Sequence, residues 1–517
     1  MDRVAALVGV TSAGLGIAAG HLVAALTSPA ASPLVALGGA VIDLTPTAAR
    51  EFAIRTFGSA DKVMLTVVIA LVAAALTGAA GVLGRRSLGP ALALVGALGA
   101  VLILAAVTRP GAQPSFAIPG LVTALVGGVA LVVQLRWAYG PRRSTPAVRV
   151  AATGPERSTP RPLTIDRRTL FLESAGVVAA AGALGWAGSR LAAGRGAGGP
   201  LPAATLPPVA SPPPAVPAGL ETTVPGVTPL VTAVGDFYRV DTALSIPRPD
   251  PATWRLTIGG RVAHPYTLTL ADLLAMPLVE RDITLTCVSN PVGGPYCGST
   301  RWTGVLVADL LRRADPEPGA DMVLSRSVDG FTASTPLAVL LDGRDAMIAL
   351  GMDGRPLTAT HGAPARLLTP GLYGYVGATK WLSDLRVTTF AADTAYWTAR
   401  GWAPQAPVKT AARIDTPTGT VPAGPVPIAG VAWATHRGIG RIEVQVDDGP
   451  WQPAMLGPDV GLDYWRQWHL TWQAAPGRHT LRARAYDAAG QVQTADVADV
   501  LPDGATGYPV VEVTVRG

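Results

Sequence analysis

Four long runs of uncharged, apolar residues before position 140 constrain this chain more than any other feature. They lie near 4–26, 63–84, 88–107 and 114–135. Crossing a bilayer takes about 20 apolar residues, and in hydrocarbon each backbone polar group must be bonded within its own segment. The runs therefore predict four transmembrane helices within residues 1–140. A fifth, weaker run covers 169–193, with Glu173 and Arg190 close enough to its ends to reach the interface. The apolar stretch 31–42, bounded by Pro33 and Pro46, is too short to cross and predicts an interfacial or looped piece.

Charge sets the orientation. Eight arginines lie between Arg136 and Arg168 against Glu156 and Asp166, and Arg85–Arg86 follows the second run. Basic loops remain cytoplasmic, so 141–168 is expected inside and everything after about 195 outside. The net charge of +6 comes largely from this loop and points to a membrane flank, not to nucleic acid. Asp166-Arg167-Arg168-Thr169-Leu170-Phe171-Leu172 resembles a twin-arginine export signal, a route for domains that fold around a cofactor first. An ordinary stop-transfer anchor with basic flanks is the plainer reading of these residues alone.

The composition, 49% hydrophobic and 15% charged, departs from the roughly 25% charged of soluble domains, and the excess lies before residue 195. Residues 200–229 hold ten prolines, and 196–229 is expected to be an extended linker. From 230 to 405 short strands (254–258, 283–286) mix with short helices (270–275, 305–314), an α+β pattern. From 411 to 517 alternating strands (441–446, 479–485, 510–515) with Trp433, Trp451, Trp468 and Trp472 predict an all-β immunoglobulin-like sandwich.

Both cysteines, Cys287 and Cys297, fall in the 230–405 region. A disulfide suits an oxidising compartment. Alternatively, Cys287 ends a strand and opens the loop Cys287-Val-Ser-Asn-Pro-Val-Gly-Gly294, presenting a thiolate to a metal. Finger-like zinc spacing and the Cys-x-x-Cys-His haem pattern are both missing. A second constellation runs from His361-Gly-Ala-Pro-Ala-Arg366 through Pro370-Gly-Leu-Tyr-Gly374 to Lys380-Trp381. One imidazole, one guanidinium and one ammonium joined by glycines suit an anionic group; a solvated basic loop is the plainer reading.

Taken in order, these motifs resemble the sulfite-oxidase family of molybdopterin enzymes over about 230–515. The resemblance implies a molybdenum–molybdopterin cofactor, with Cys287 as metal ligand and Asn290 as its neighbour. It implies that His361, Arg366 and Lys380 hold the pterin phosphate and that Tyr238, Arg239 and Thr379 contact the cofactor. Trp302-Thr-Gly-Val305 matches the family stretch that opens a helix, and the C-terminal sandwich matches its dimerisation domain, implying a homodimer.

Three departures bear on substrate. Pro291 and Val292 stand where sulfite-binding arginines follow the Cys-x-x-Asn, Asp241 replaces another arginine, and Trp402 stands for an active-site tyrosine. Arg239 or Arg326 is positioned in sequence to compensate. The implied reaction is oxygen-atom transfer on a small sulfur compound, either sulfite oxidation or S-oxide reduction. With His21 the only histidine in the spans, electrons are expected to pass to or from a separate cytochrome or a quinone-linked carrier. The rival expectation is a non-catalytic, membrane-anchored binding or scaffold protein on the same fold.

Overall fold

The computed structural model describes residues 2–28, 31–46, 61–109, 112–139, 167–195 and 206–517, with isolated positions between 46 and 61. The chain divides into two units, one of 1–197 with 243–245 and one of 198–242 with 246–517. The basic loop expected at 141–168 and the start of the linker lie largely outside the described residues.

In the first unit, helices α1 (Asp2–Thr27), α2 (Pro33–Leu44), α3 (Asp61–Arg86), α4 (Leu88–Val107), α5 (Ala117–Tyr139) and α6 (Arg167–Arg195) follow in order. Among the described residues four helices are long and apolar enough to cross a membrane: Asp2–Thr27, Val63–Arg86, Leu88–Val107 and Pro114–Tyr139. The expected fifth span is helical over Arg167–Arg195 and is not among these four. Glycine lets α1 approach its neighbours: a Cβ at Gly9 would collide with the Thr77 carbonyl, and one at Gly81 with the Ala5 carbonyl. Small residues and buried polar bonds hold such helices together. Gln134 supplies the latter, accepting from Thr11 Oγ1 and donating to Ser12 Oγ, each at 2.9 Å.

In the second unit, β1 (Arg255–Gly260), β2 (Tyr266–Thr269), β5 (Met322–Ser327), β6 (Thr332–Pro336) and β10 (Leu382–Thr388) form a sheet in the order β2-β1-β10-β5-β6. Only the β1–β10 pairing is parallel. Helix α7 (Leu270–Leu274) starts on a capping box between Thr269 and Asp272. Helix α8 (Val307–Ala314) buries Val307, Leu310, Leu311 and Ala314 and turns Arg312 and Arg313 outward. With α9 (Leu337–Leu341), these helices pack on Leu256, Ile258, Val323 and Leu385 of the sheet.

A second sheet joins β3 (Val279–Thr286), β4 (Cys297–Leu306), β7 (Met347–Met352) and β8 (Arg355–Pro356), with β9 (Arg366–Leu368) added to β7. Because β4 runs through Leu306 and pairs Val305 with Ile348, α8 starts two residues later than expected at 305.

Residues 411–516 make two further sheets. One orders β11 (Ala411–Thr416), β13 (Gly424–Trp433), β17 (Arg466–Ala474) and β16 (Met455–Leu456). The other orders β12 (Gly419–Pro422), β19 (Val510–Arg516), β18 (Gly477–Asp487), β14 (Ile439–Val446) and β15 (Gln452–Pro453). Ile428 and Trp468 from the first share a core with Ile442, Val444, Leu481 and Val513 from the second. Trp433 and Trp468 are buried as expected, but Trp451 and Trp472 are half-exposed. Trp451 precedes β15 and lies under Arg484; Trp472 stands near the open end of β17, edge-on to His479.

The regions 230–405 and 411–517 share one core. Val288 and Tyr375 pack with Val431, Trp433, Tyr464 and Trp465, while Tyr464 Oη and Trp465 Nε1 both donate to the Leu230 carbonyl at 3.0 and 2.8 Å. The proline-rich stretch, expected to act as an extended spacer, instead lies on this body from 206 onward. Arg301 donates to the carbonyls of Pro213 and Pro214, the Leu220 N–H donates to Gln467 Oε1 at 2.7 Å, and Val224 and Val227 bury against Ala429. Proline lacks an N–H but keeps a carbonyl acceptor, so an extended proline strap can dock wherever side-chain donors face it.

Candidate active site

Strand β3 places Cys287 at its end, where the chain loops over to β4. The loop braces itself: the Cys287 N–H donates to Tyr296 O at 3.0 Å, and the Asn290 N–H to Cys287 O at 3.1 Å. The Tyr296 N–H donates to Asn290 Oδ1 at 2.9 Å. Asn290, buried, thus fixes the loop that presents the thiol.

The two cysteines are free. Cys297 stands opposite Thr286 in the ladder, its Sγ 3.3 Å from Thr286 Oγ1, and joins the apolar cluster with Val288, Tyr375 and Trp402. Cys287 follows Thr286 just past the strand, with Sγ 2.9 Å from Ser289 Oγ. Burial raises both thiols, Cys297 to about 12; at Cys287 the Ser289 hydroxyl and the Lys380 ammonium oppose the rise.

Lys380 belongs to a buried basic cradle. Arg366 enters on β9, held by its pairing with Ala349 of β7. It is 6% exposed, lies over the Trp302 ring at 5.2 Å and donates from Nη1 to His361 O at 3.2 Å. Its Nε has no partner, and among the described residues no carboxylate pairs with it. Desolvation pulls this guanidinium down to about 10. Lys380 Nζ donates to Asp241 Oδ2 at 2.7 Å, and Arg239 Nε donates to the same oxygen at 2.8 Å. Burial lowers the Lys380 ammonium to about 8 against the pull of Asp241.

The backbone that aims Lys380 is tightly specified. Trp381 adopts φ 50°, a left-handed conformation uncommon for a bulky residue, and donates from Nε1 to Ala359 O at 2.7 Å. Thr379 is fully buried, with Oγ1 2.7 Å from Ser325 Oγ. Gly362, at φ 103°, lies directly beneath Lys380.

Other expected residues fall differently. His361 donates from Nε2 to Val234 O at 2.9 Å, and burial lowers its pKa. That bond commits Nε2 to the backbone, and the ring packs edge-on to Phe237 at 5.9 Å. Half-buried Tyr238 acts electrostatically with both Cys287 and Arg366, and burial holds its phenol protonated. Arg326 does not reach the cradle: Ser325 faces Thr379, so the next residue on β5 turns away, opposite Asp384. Trp402 is buried against Tyr375 and Trp397, ring centroids 5.6 and 6.1 Å away, with its Nε1 unpartnered. Asp241, in sequence merely a departure, proves to be the cradle's carboxylate; Ser289 and Ser325 carried no motif signal, and Trp302 was read only as part of the stretch that opens a helix.

A cavity of about 290 Å³ lies behind the Cys287 loop, lined by Asn290, Val292, Tyr373, Lys409, Trp433 and Gln493. Neither Arg366 nor Lys380 lines it, so it is separate from the cradle.

The cradle suits the phosphate of a molybdopterin. Three cations, Arg239, Arg366 and Lys380, face one carboxylate, an excess of two positive charges that a dianionic phosphate monoester neutralises. Among the described residues no group of three or more His, Cys, Asp or Glu could hold a metal ion. A metal at Cys287 would therefore take most of its ligands from a cofactor.

Comparison with known proteins agrees with this chemistry. Residues 243–397 match the oxidoreductase molybdopterin binding domain. Human mitochondrial sulfite oxidase is 28% identical over 310 residues, covering 50% of this chain and 56% of that protein. The chain thus spans a little over half the length of the sulfite oxidases it matches. An uncharacterised oxidoreductase of Bacillus subtilis is 32% identical over 139 residues, 27% of this chain and 67% of that protein. The sulfane dehydrogenase SoxCD of Paracoccus pantotrophus is 21% identical with a TM-score of 0.49, over 56% of this chain and 85% of that one. With its strand-end cysteine, its basic cradle, the matched domain and the two sequence relatives, the chain belongs to the sulfite-oxidase-type family of molybdopterin oxidoreductases.

Proposed function

We propose that this protein is a membrane-anchored, extracytoplasmic oxidoreductase that transfers an oxygen atom to or from a small sulfur compound. The observation that carries the reading is Arg366, a buried cation with an unmet donor and, among the described residues, no carboxylate partner, on the sheet whose strand β3 leads into Cys287. When bound, the cofactor supplies two-electron redox chemistry coupled to oxygen transfer. Cys287 ligates its metal, and Asn290 keeps the ligand loop closed. Arg366, Lys380 and Arg239 hold the phosphate, Thr379 and Tyr238 wall the cradle, and the Trp402 N–H hydrogen-bonds a substrate oxygen. Sulfite and an S-oxide are the two substrates in view. Asp241 already engages Arg239 and Lys380, and Arg326 lies elsewhere, which favours the neutral S-oxide over an anion needing desolvated cationic partners.

Residues 230–405 form the cofactor domain in this reading, and 411–517 an immunoglobulin-like, dimerisation-type domain that pairs two chains. A separate cytochrome or quinone-linked carrier exchanges the electrons. The arginines between Arg136 and Arg168 keep that loop cytoplasmic, and helix α6, packed on α1 through Gly188 against Leu22, serves as a fifth crossing.

The full chain made in a molybdopterin-competent host should carry molybdenum in a one-to-one ratio. Cys287→Ser should abolish the thiolate-to-metal absorption and Cys297→Ser should preserve it; equal effects would remove Cys287 from the metal. Protease added to intact spheroplasts should digest the 206–517 body, and protection beside a digested periplasmic control would reverse the topology.

A further inference from the structure

Asp241 is a singular feature of the cradle: a carboxylate whose side chain is 4% exposed, among cations that otherwise serve an anionic ligand. Among the described residues it pairs with Lys380 Nζ at 2.7 Å and with Arg239, which donates from Nε at 2.8 Å and Nη2 at 3.3 Å. Among the same residues Arg366, the most deeply buried of the three cations, has no carboxylate partner.

We propose that Asp241 is a positioning residue for the cofactor phosphate, pinning Lys380 and Arg239 side by side as one wall and leaving Arg366 to meet the phosphate unpaired. The inference rests on the cradle reading above.

Three observations support it. Lys380 has three N–H donors and Asp241 takes one, so two remain for phosphate oxygens. The Lys380 backbone is held by its neighbour, the Trp381 N–H donating to Gly362 O at 3.2 Å, while the tip of the flexible side chain is fixed by Asp241. The charged and titratable groups facing Lys380 are Asp241, Arg366, Arg239, His361 and Cys287, and of these Arg366 and Arg239 push the ammonium toward neutrality while Asp241 opposes them. Removing the carboxylate would leave three like charges to repel one another before any ligand arrives.

The test is cofactor retention by the full-length protein, read as molybdenum and as fluorescent oxidised pterin per chain after purification at pH 6.5 and 8.5. Asp241→Asn should lower retention roughly tenfold at pH 8.5, within the range for residues of one charge network, and less at pH 6.5. Asp241→Glu should recover most of it. In a Lys380→Met background Asp241→Asn should add only the smaller loss carried through Arg239. The charge-balanced double variant also keeps the test open should Asp241→Asn alone fail to fold. Retention at the wild-type level in folded Asp241→Asn overturns the proposal, as does a further loss in the Lys380→Met background as large as in the wild type. Wild-type protein that binds no pterin would instead overturn the cradle reading itself.

Discussion

The body carries two basic clusters built on opposite principles. On the C-terminal sheet, Arg441 and Arg484 share Glu443 at 3.4 and 2.6 Å, and the Tyr486 hydroxyl donates to the same carboxylate at 2.9 Å. Arg484 lies over Trp451 at 4.2 Å and Arg441 over Tyr486 at 3.9 Å. Each of these guanidiniums is accessible to water and already has its anion. In the cradle Arg366 and Lys380 are deeper, one carboxylate serves Lys380 and the more exposed Arg239, and among the described residues none pairs with Arg366. Self-contained ion networks satisfy their own members. A cluster that desolvates cations without matching them is tuned to an anion that arrives from outside.

If that contrast is right, the largest effect should come from Arg366→Met. Retained pterin and molybdenum should fall at least tenfold, since truncating one partner of a buried charge pair costs about 2–5 kcal/mol. The cofactor-free variant should melt no lower than wild type, because an uncompensated buried charge has been removed. A variant that keeps its cofactor would break the comparison at once.

The next effect is a pH dependence with a definite sign. Burial places the Lys380 ammonium at about 8 in the folded protein against an ordinary value of 10.5. Between those values the unfolded chain holds a proton that the folded chain has released, so stability rises with pH across that window. The cost of burying the charge is fully present below about pH 8 and fades toward 10.5. Thermal unfolding of the cofactor-free protein should show a gain on the order of 1–3 kcal/mol between pH 7.5 and 10.5, absent in Lys380→Met. Over the same interval the loaded protein should release pterin.

The smallest effect belongs to the other cluster. Arg484→Met should cost about 1 kcal/mol or less, the worth of a partly exposed ion pair with a cation–π contact, and should leave molybdenum content unchanged. Cofactor loss in this variant would mean that the two clusters are coupled through the shared core around Trp433 and Trp465.

Much of this molecule was determined by local sequence. Apolar runs of sufficient length have one solution in hydrocarbon, so four helices were legible residue by residue. Alternation placed β14, β18 and β19 to within two residues, because a strand's period is a property of the chain itself. The cysteine loop and the His361–Trp381 run carried enough ordered spacing to indicate the family. Only tertiary structure decided what depends on partners distant in sequence. It laid the proline stretch on the body through Arg301, turned Arg326 away from the cradle and tied His361 to the Val234 carbonyl. It also made Asp241, 139 residues from Lys380, the carboxylate on which that side chain is held. Spacing along a chain reports which side chains share a face; which charges meet, and how far from water, is decided where separate segments fold together.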